Sequence, residues 1–354
     1  MSQNLTYHVN ESKKNDQRMR EVLKDLPEFT KAYFRAKDST TSPRTRLAYA
    51  YDLRTFFQYL ISANPSLHCR YPSELTLSHM EQLSVQDIEE FLEYLKYYHP
   101  NDDTDRTFIN TANGIARKLS CLKSFFDYYA RIGAMEKNPA ALVPIPKIHK
   151  KEIIQLDPDE IAILLDGIEN GSDQVSAHQK KYLDKTRLRD LAITTLLLGT
   201  GIRISECVGL DINNVNFRDN SIKIIRKGGN EQLVYFNEEV QDALEDYLEC
   251  QRNKMIPEKG SENALFLSMK NNRMSVDAIE KMVVKYAKIF VPQKKITPHK
   301  LRSTFGTQLY QETGDLYLVA ETLGHSSVET SKRYAAMKDR KRMAANAVKL
   351  RSES

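Results

Sequence analysis

The chain has 354 residues, 41% of them hydrophobic, which is long for one compact domain and comfortable for two. Its 52 Lys and Arg against 47 Asp and Glu leave a formal charge of +5, which permits a nucleic-acid partner without demanding one. Four scattered cysteines with no C-x-x-C pair argue against a zinc site or a disulfide framework, and no apolar run suits a membrane span or a secretory signal.

A cytoplasmic protein with reduced thiols is therefore expected. Residues 1–16 are polar and expected to be loosely ordered. A first helix is predicted over about 16–24, and Pro27 opens a second through Phe29, Tyr33 and Phe34. Ser42-Pro43 is a start signal, after which Leu47, Tyr51, Phe57 and Leu60 recur at helical spacing. Ser84-x-x-Asp87 caps another helix, with Ile88, Phe91, Leu92 and Leu95 on it. A fifth spans about 111–132, with Ile115, Leu119, Leu122, Phe125, Phe126 and Tyr129 as its apolar stripe. The first third is thus predicted to be all helical.

Three prolines and a basic run within 138–151 cannot continue a helix and predict an extended linker. Asp157-Pro158-Asp159-Glu160 starts the next helix, 167–185 is polar and reads as a surface loop, and helical signals resume at Arg187. The one clear β signal is 221–226, a Gly-rich turn at 227–230, and 232–236. Helices dominate thereafter. The expected fold is mainly α with a small antiparallel β-sheet, divided into an extension (1–26), a helical domain (27–146), a linker (147–154), a second α-rich domain (155–337) and a tail (338–354).

Four segments carry candidate chemistry. In Thr200-Gly-Ile-Arg203 a glycine turn precedes a helix start, which would place Arg203 at an anion-binding helix end. Lys227 lies in the hairpin turn. Thr297-Pro-His299-Lys-Leu-Arg302 sets His299 and Arg302 on one face of a helix start. Leu323-Gly-His325 ends one helix, and Tyr334 lies about two turns into the next. Each alone has an ordinary explanation: a loop-capping arginine, a solvated turn lysine, a helix-capping histidine, or a packing tyrosine among 18. Together they supply phosphoryl transfer. Attack on a phosphodiester adds negative charge to the non-bridging oxygens, and two arginines clamp such oxygens in bidentate fashion. A phenol, with a reference pKa of about 10, needs a base such as histidine, and an ammonium protonates the leaving oxygen. No carboxylate cluster has metal-ligand spacing, so no cofactor is expected.

In this order and spacing the chain resembles the tyrosine recombinase (phage-integrase) family, most like its Xer-type members. The matching stretches are TGIRISE at 200–206, Lys227, HKLRSTF at 299–305 and ETLGHSSVETSKRY at 321–334. SPRTRLAYAYDLRTFF, RKLSCLKSFFDYY and the following NPA resemble the family's helical core-binding domain. The resemblance implies that Arg203, His299, Arg302 and His325 hold the scissile phosphate. It also implies that Lys227 is the general acid, that Tyr334 is the nucleophile, and that Glu206 orients the site. Ser303 stands where many relatives carry a second histidine.

The same resemblance places Arg44, Arg46, Arg117, Lys118 and Lys123 on helices facing DNA, with Lys147, Lys150 and Lys151 in a linker that crosses the backbone. The implied partners are a double-stranded DNA target site, a homotetramer or a paralogous recombinase on that DNA, and a division-associated DNA translocase, with no membrane. The tail 338–354 either covers its own domain or docks on a neighbouring protomer. Chromosome dimer resolution is the expected role. The alternatives are an integrase of a mobile element, a type IB topoisomerase and a non-catalytic DNA-binding regulator.

Overall fold

The computed structural model describes residues 7–99, 107–148, 153–171, 177–226, 229–324, 330–331 and 334. The chain divides into two compact units, 1–150 and 151–354.

The first unit is built from α1 (Tyr7–Leu23), α2 (Thr30–Ala36), α3 (Pro43–Ala63), α4 (Leu77–Glu81), α5 (Val85–Tyr94) and α6 (Ala112–Arg131). Local chemistry starts these helices where the sequence places them. Ser42 Oγ accepts from the Thr45 N–H at 3.3 Å, with Pro43 at the first helical position. At α5 the exchange is reciprocal: the Ser84 N–H donates to Asp87 at 2.7 Å and the Asp87 N–H donates to Ser84 Oγ at 3.3 Å. The stripe of α6 is buried as its periodicity predicts, in a core of Phe56, Phe57, Phe91, Phe125 and Phe126. Edge-on ring pairs dominate that core, Phe56 and Phe126 meeting at 87°.

Two features of this unit differ from expectation. Helix α1 begins at Tyr7, well before residue 16, because Met19, Val22 and Leu23 bury themselves in the core and a helix so anchored propagates backwards at little cost. The unit is also not purely helical. Strands β1 (Tyr97–Tyr98) and β2 (Phe108–Ile109) pair antiparallel, with Tyr97 opposite Ile109 and Tyr98 opposite Phe108. Aromatic and β-branched pairs favour such a ribbon.

The second unit contains α7 (Pro158–Asn170), α8 (Ala177–Thr200), α9 (Ile204–Gly209), strands β3 (Val215–Asn216), β4 (Ser221–Ile225) and β5 (Glu231–Tyr235), then α10 (Glu238–Cys250), α11 (Val276–Phe290), α12 (Pro298–Thr313) and α13 (Leu316–Leu323). The strands form one antiparallel sheet in the order β3-β4-β5, with Ile222 opposite Val234 and Ile224 opposite Gln232. The loop expected over 167–185 is a correction: its two ends belong to α7 and α8. The first turns of α8 are polar on most sides, which erases the periodic signal, yet Leu183 and Thr186 are buried. Farther along α8, Ala192, Ile193, Leu196 and Leu197 are fully buried, making it the central helix on which α12 packs. Asp315 caps α13 by accepting the Tyr317 and Leu318 N–H groups at 2.7 and 3.1 Å.

No helix among the described residues is long and apolar enough to cross a membrane.

Candidate active site

Helix α8 stops at Thr200, and Gly201 reverses the chain in the left-handed region at φ +61°. A Cβ at Gly201 would run into the Phe305 ring of α12 and approach Leu323 of α13 to 2.9 Å, so the turn lies flush against both helices. Arg203 follows in extended backbone as the N-cap of α9. The carboxylate of Glu206, buried one turn later, accepts from the Arg203 N–H at 2.7 Å and from its Nη1 at 2.8 Å. Arg203 Nη2 donates to the Gly324 carbonyl at 3.2 Å.

Arg302 comes from the start of α12, where Pro298 occupies the first turn. Its side chain is buried, with Nη1 donating to the Gly201 carbonyl and Nη2 to the Leu323 carbonyl. Burial pushes the Arg302 guanidinium down to about 10, and the neighbouring Arg203 adds to that, while Glu206 and Tyr334 act in the opposite direction. His299 lies one turn earlier on the same helix and is exposed.

A third guanidinium was not expected. Arg226 directly follows β4, and strand alternation puts it on the same side as the buried Ile222 and Ile224. Its Nη2 donates to the Thr322 carbonyl at 2.7 Å. Nε and Nη1 are buried and make no hydrogen bond. Burial lowers its pKa; Glu206 opposes the shift and Arg203 reinforces it. Gly324, at φ +58°, is the only residue type that suits this spot, because a Cβ there would collide with the Arg226 guanidinium. The signal available in the sequence was a charged residue continuing an inward-facing row of isoleucines.

Arg226, Arg302 and Arg203 therefore donate in turn to three consecutive carbonyls, those of Thr322, Leu323 and Gly324. These belong to the carboxyl end of α13, where helix carbonyls lack intrahelical donors and the dipole attracts cations.

Tyr334 is 0% exposed and packs with Val319 and Leu323 in a small apolar cluster. Its ring Cζ lies 3.0 Å from where a Cβ on Gly306 would stand. Arg203, Arg302, Glu206 and Tyr334 are thus brought together. Lys227 and His325 lie outside the described residues, as does the tail 338–354.

The basic residues expected to face DNA separate into groups. Arg44 and Lys147 are exposed. Arg117 is half-exposed and grips Asp52 through both Nη atoms, and Lys123 donates to the Ala141 carbonyl at 3.3 Å. Lys150 and Lys151 lie outside the described residues. Arg46 and Lys118 are corrections. Arg46 is buried and paired with Asp16 at 2.9 Å and with Asp38, and Lys118 is buried against Asp52 at 2.9 Å. Both hold helices of the first unit together, since a buried cation requires a carboxylate partner more than it can serve an outside phosphate.

Residues 155–341 match the model of the phage integrase family. The tyrosine recombinase XerS of Streptococcus thermophilus (strain CNRZ 1066) is 31% identical over 338 residues, covering 87% of this chain and 91% of the relative. Tyrosine recombinase XerC of Caldanaerobacter subterraneus subsp. tengcongensis is 30% identical over 307 residues, 84% of this chain and 79% of the relative. Among solved structures, the XerH site-specific recombinase bound to palindromic difH substrate in a post-cleavage complex superposes with a TM-score of 0.63. It is 20% identical and covers 90% of this chain and 83% of that one, a likeness of fold. On the family match and on relatives that run through most of its length, this chain belongs to the phage integrase family, the tyrosine recombinases.

Proposed function

We propose that this recombinase cuts and rejoins a specific double-stranded DNA site by transesterification at Tyr334. The Tyr334 oxygen attacks the scissile phosphorus, the bond to the 5′-oxygen breaks, and a 3′-phosphotyrosine conserves the bond energy. Arg203 and Arg302 hold the non-bridging oxygens, His299 and His325 complete the phosphate contacts and assist the phenol proton, and Lys227 protonates the departing 5′-oxygen. Glu206 orients Arg203. Two rounds of exchange through a Holliday junction complete recombination.

The observation that carries this reading is the convergence of guanidiniums from α9 and α12 on one helix end within electrostatic reach of Tyr334. A buried Tyr334 has to leave its place against Gly306 to meet a phosphate. The active form on DNA is then a tetramer in which the tail 338–354 docks on a neighbouring protomer, and Arg44, Arg117, Lys123, Lys147, Lys150 and Lys151 lie along the duplex. Relatives named XerS and XerC favour chromosome dimer resolution in the cytoplasm, with a division-associated translocase as partner, over integration of a mobile element.

The test uses the full chain and a duplex selected from a randomised pool by its affinity for that chain. Denaturing electrophoresis should reveal a covalent protein–DNA adduct, absent with Tyr334→Phe although binding persists. An adduct formed by the Phe variant would remove Tyr334 from its role.

A further inference from the structure

Arg226 is a half-buried cation beside the site that the proposed chemistry leaves unused. Its Nη2 donates to the Thr322 carbonyl, while two buried donors, Nε and Nη1, make no hydrogen bond. Leaving such donors unsatisfied is costly, more so for a charged group than for a neutral one, so a fold keeps them only against a compensating gain. The surroundings supply too little negative charge. Arg203, Arg226 and Arg302 act on one another, and among the described residues Glu206 is the one carboxylate that acts on both Arg226 and Arg302. Among the described residues, three guanidiniums against one carboxylate leave an excess of two positive charges, partly offset by carbonyl dipoles.

A phosphodiester brings one negative charge, and its pentacovalent transition state approaches two. The excess matches the transition state better than the ground state, which is the condition for faster chemistry rather than tighter binding. The approach is also built. Arg226 is held at one end by the Thr322 carbonyl, the missing Cβ of Gly324 makes room for its guanidinium, and Arg302 and Arg203 take the next two carbonyls of the same turn.

Resting on the phosphoryl-transfer reading above, we propose that Arg226 is a third phosphate-binding guanidinium, whose Nε–H and Nη1–H donate to a non-bridging oxygen of the scissile phosphate as its charge grows. It is a catalytic residue in this account, because it touches the reacting group, and its contribution falls on the cleavage step.

The experiment compares the full wild-type chain with Arg226→Ala on the selected duplex, first mapping the scissile phosphate from the wild-type adduct. Two substrates are then used: the ordinary duplex and one with a methylphosphonate at that position, its two diastereomers separated. Methyl in place of one non-bridging oxygen removes the charge that Arg226 is proposed to meet. On the ordinary duplex the variant should bind DNA within a few-fold of wild type and form adduct about 100-fold more slowly, the usual scale for losing one oxyanion donor. On one diastereomer that deficit should shrink to about tenfold or less. Wild-type adduct rates in the variant overturn the proposal, and so does an equal deficit on all substrates, which identifies a packing role. If Arg226→Ala does not fold, the same ratio is read on Arg226→Lys, which keeps a charge but not the fork of donors, with the same criteria. A wild-type chain that forms no adduct at all counts instead against the phosphoryl-transfer reading itself.

Discussion

Glu206 grips Arg203 twice, taking its backbone N–H at 2.7 Å with one carboxylate oxygen and its Nη1 at 2.8 Å with the other. The carboxylate thereby starts α9 and aims the guanidinium in a single arrangement. Glu206→Gln keeps an acceptor for one of these donors and removes the carboxylate charge that acts on Arg226 and Arg302. Its adduct formation should fall by roughly 10- to 100-fold, with folding retained. Glu206→Ala should in addition lower stability by about 1–3 kcal/mol, because the N–H loses its acceptor. Urea unfolding and single-turnover cleavage of the two variants check both effects.

Arg302 makes the folded chain sensitive to oxyanions. Its folded value of about 10 lies well below the ordinary arginine range, so the charged guanidinium costs stability at every pH below about 10. Stability attributable to this group rises only as pH climbs above about 10, towards the ordinary arginine range. At neutral pH an anion supplies the missing countercharge instead. Sulfate at ten times its dissociation constant should add about 1.4 kcal/mol, or about 3 °C in melting temperature, beyond chloride at equal ionic strength. Arg302→Met should lose that increment. An equal sulfate effect on both proteins would show that the anion acts generally and not at this cluster.

The first unit offers a contrast between buried and exposed bases. Asp52 pairs with both Arg117 and Lys118, and Lys118 is buried. Asp52→Ala leaves that ammonium unpaired and should cost about 3–5 kcal/mol. Lys118→Met should leave the salt dependence of DNA binding unchanged, whereas Arg44→Ala should reduce its slope by about one. Binding titrations over a range of salt separate the two.

Gly306 sets the seat of Tyr334. A Cβ there would stand 2.9 Å from Leu323 Cδ1 and 3.0 Å from the Tyr334 ring. Alanine is a better helix former than glycine, yet Gly306→Ala should destabilise the chain by about 1–3 kcal/mol through crowding. It should also raise the reactivity of Tyr334 towards ring nitration, read by peptide mass mapping. An unchanged Tyr334 together with a more stable protein would contradict the packing described.

Burial raises the titration of two cysteine thiols. Cys207 is pushed up to about 12 and Cys121 well above its ordinary value, both by burial, while Cys250 is exposed. The unfolded thiols lose their protons first, so this contribution to stability falls as pH rises from about 9 towards 12. In the native protein a disulfide reagent should modify Cys250 first and reach Cys121 and Cys207 only after denaturation.

Local signals were legible in the sequence because they act over one helical turn. The Ser84–Asp87 exchange, the Ser42-Pro43 start, the stripe of α6 and the placement of Arg203 at the head of a helix all depend on residues three or four positions apart. Partners that are distant or belong to the backbone were not. Arg46 and Lys118 look like surface bases until α1 and α3 bring Asp16 and Asp52 to them. Arg226 faces peptide carbonyls, which carry no side-chain identity to read. Tyr334 was picked out by its neighbours in the motif, but its burial depends on a glycine of α12 and on α13.

The three successive acceptors on α13 have one more consequence. Carbonyl oxygens of adjacent helical residues all face the carboxyl end but are spaced about 100° apart around the axis, so the hairpin, α9 and α12 are each bolted to one rung of a single spindle. The bolts hold peptide oxygens, so the side chain at Thr322 is free to drift through generations without shifting the three cations. A change that unwinds the rung itself would move all three together.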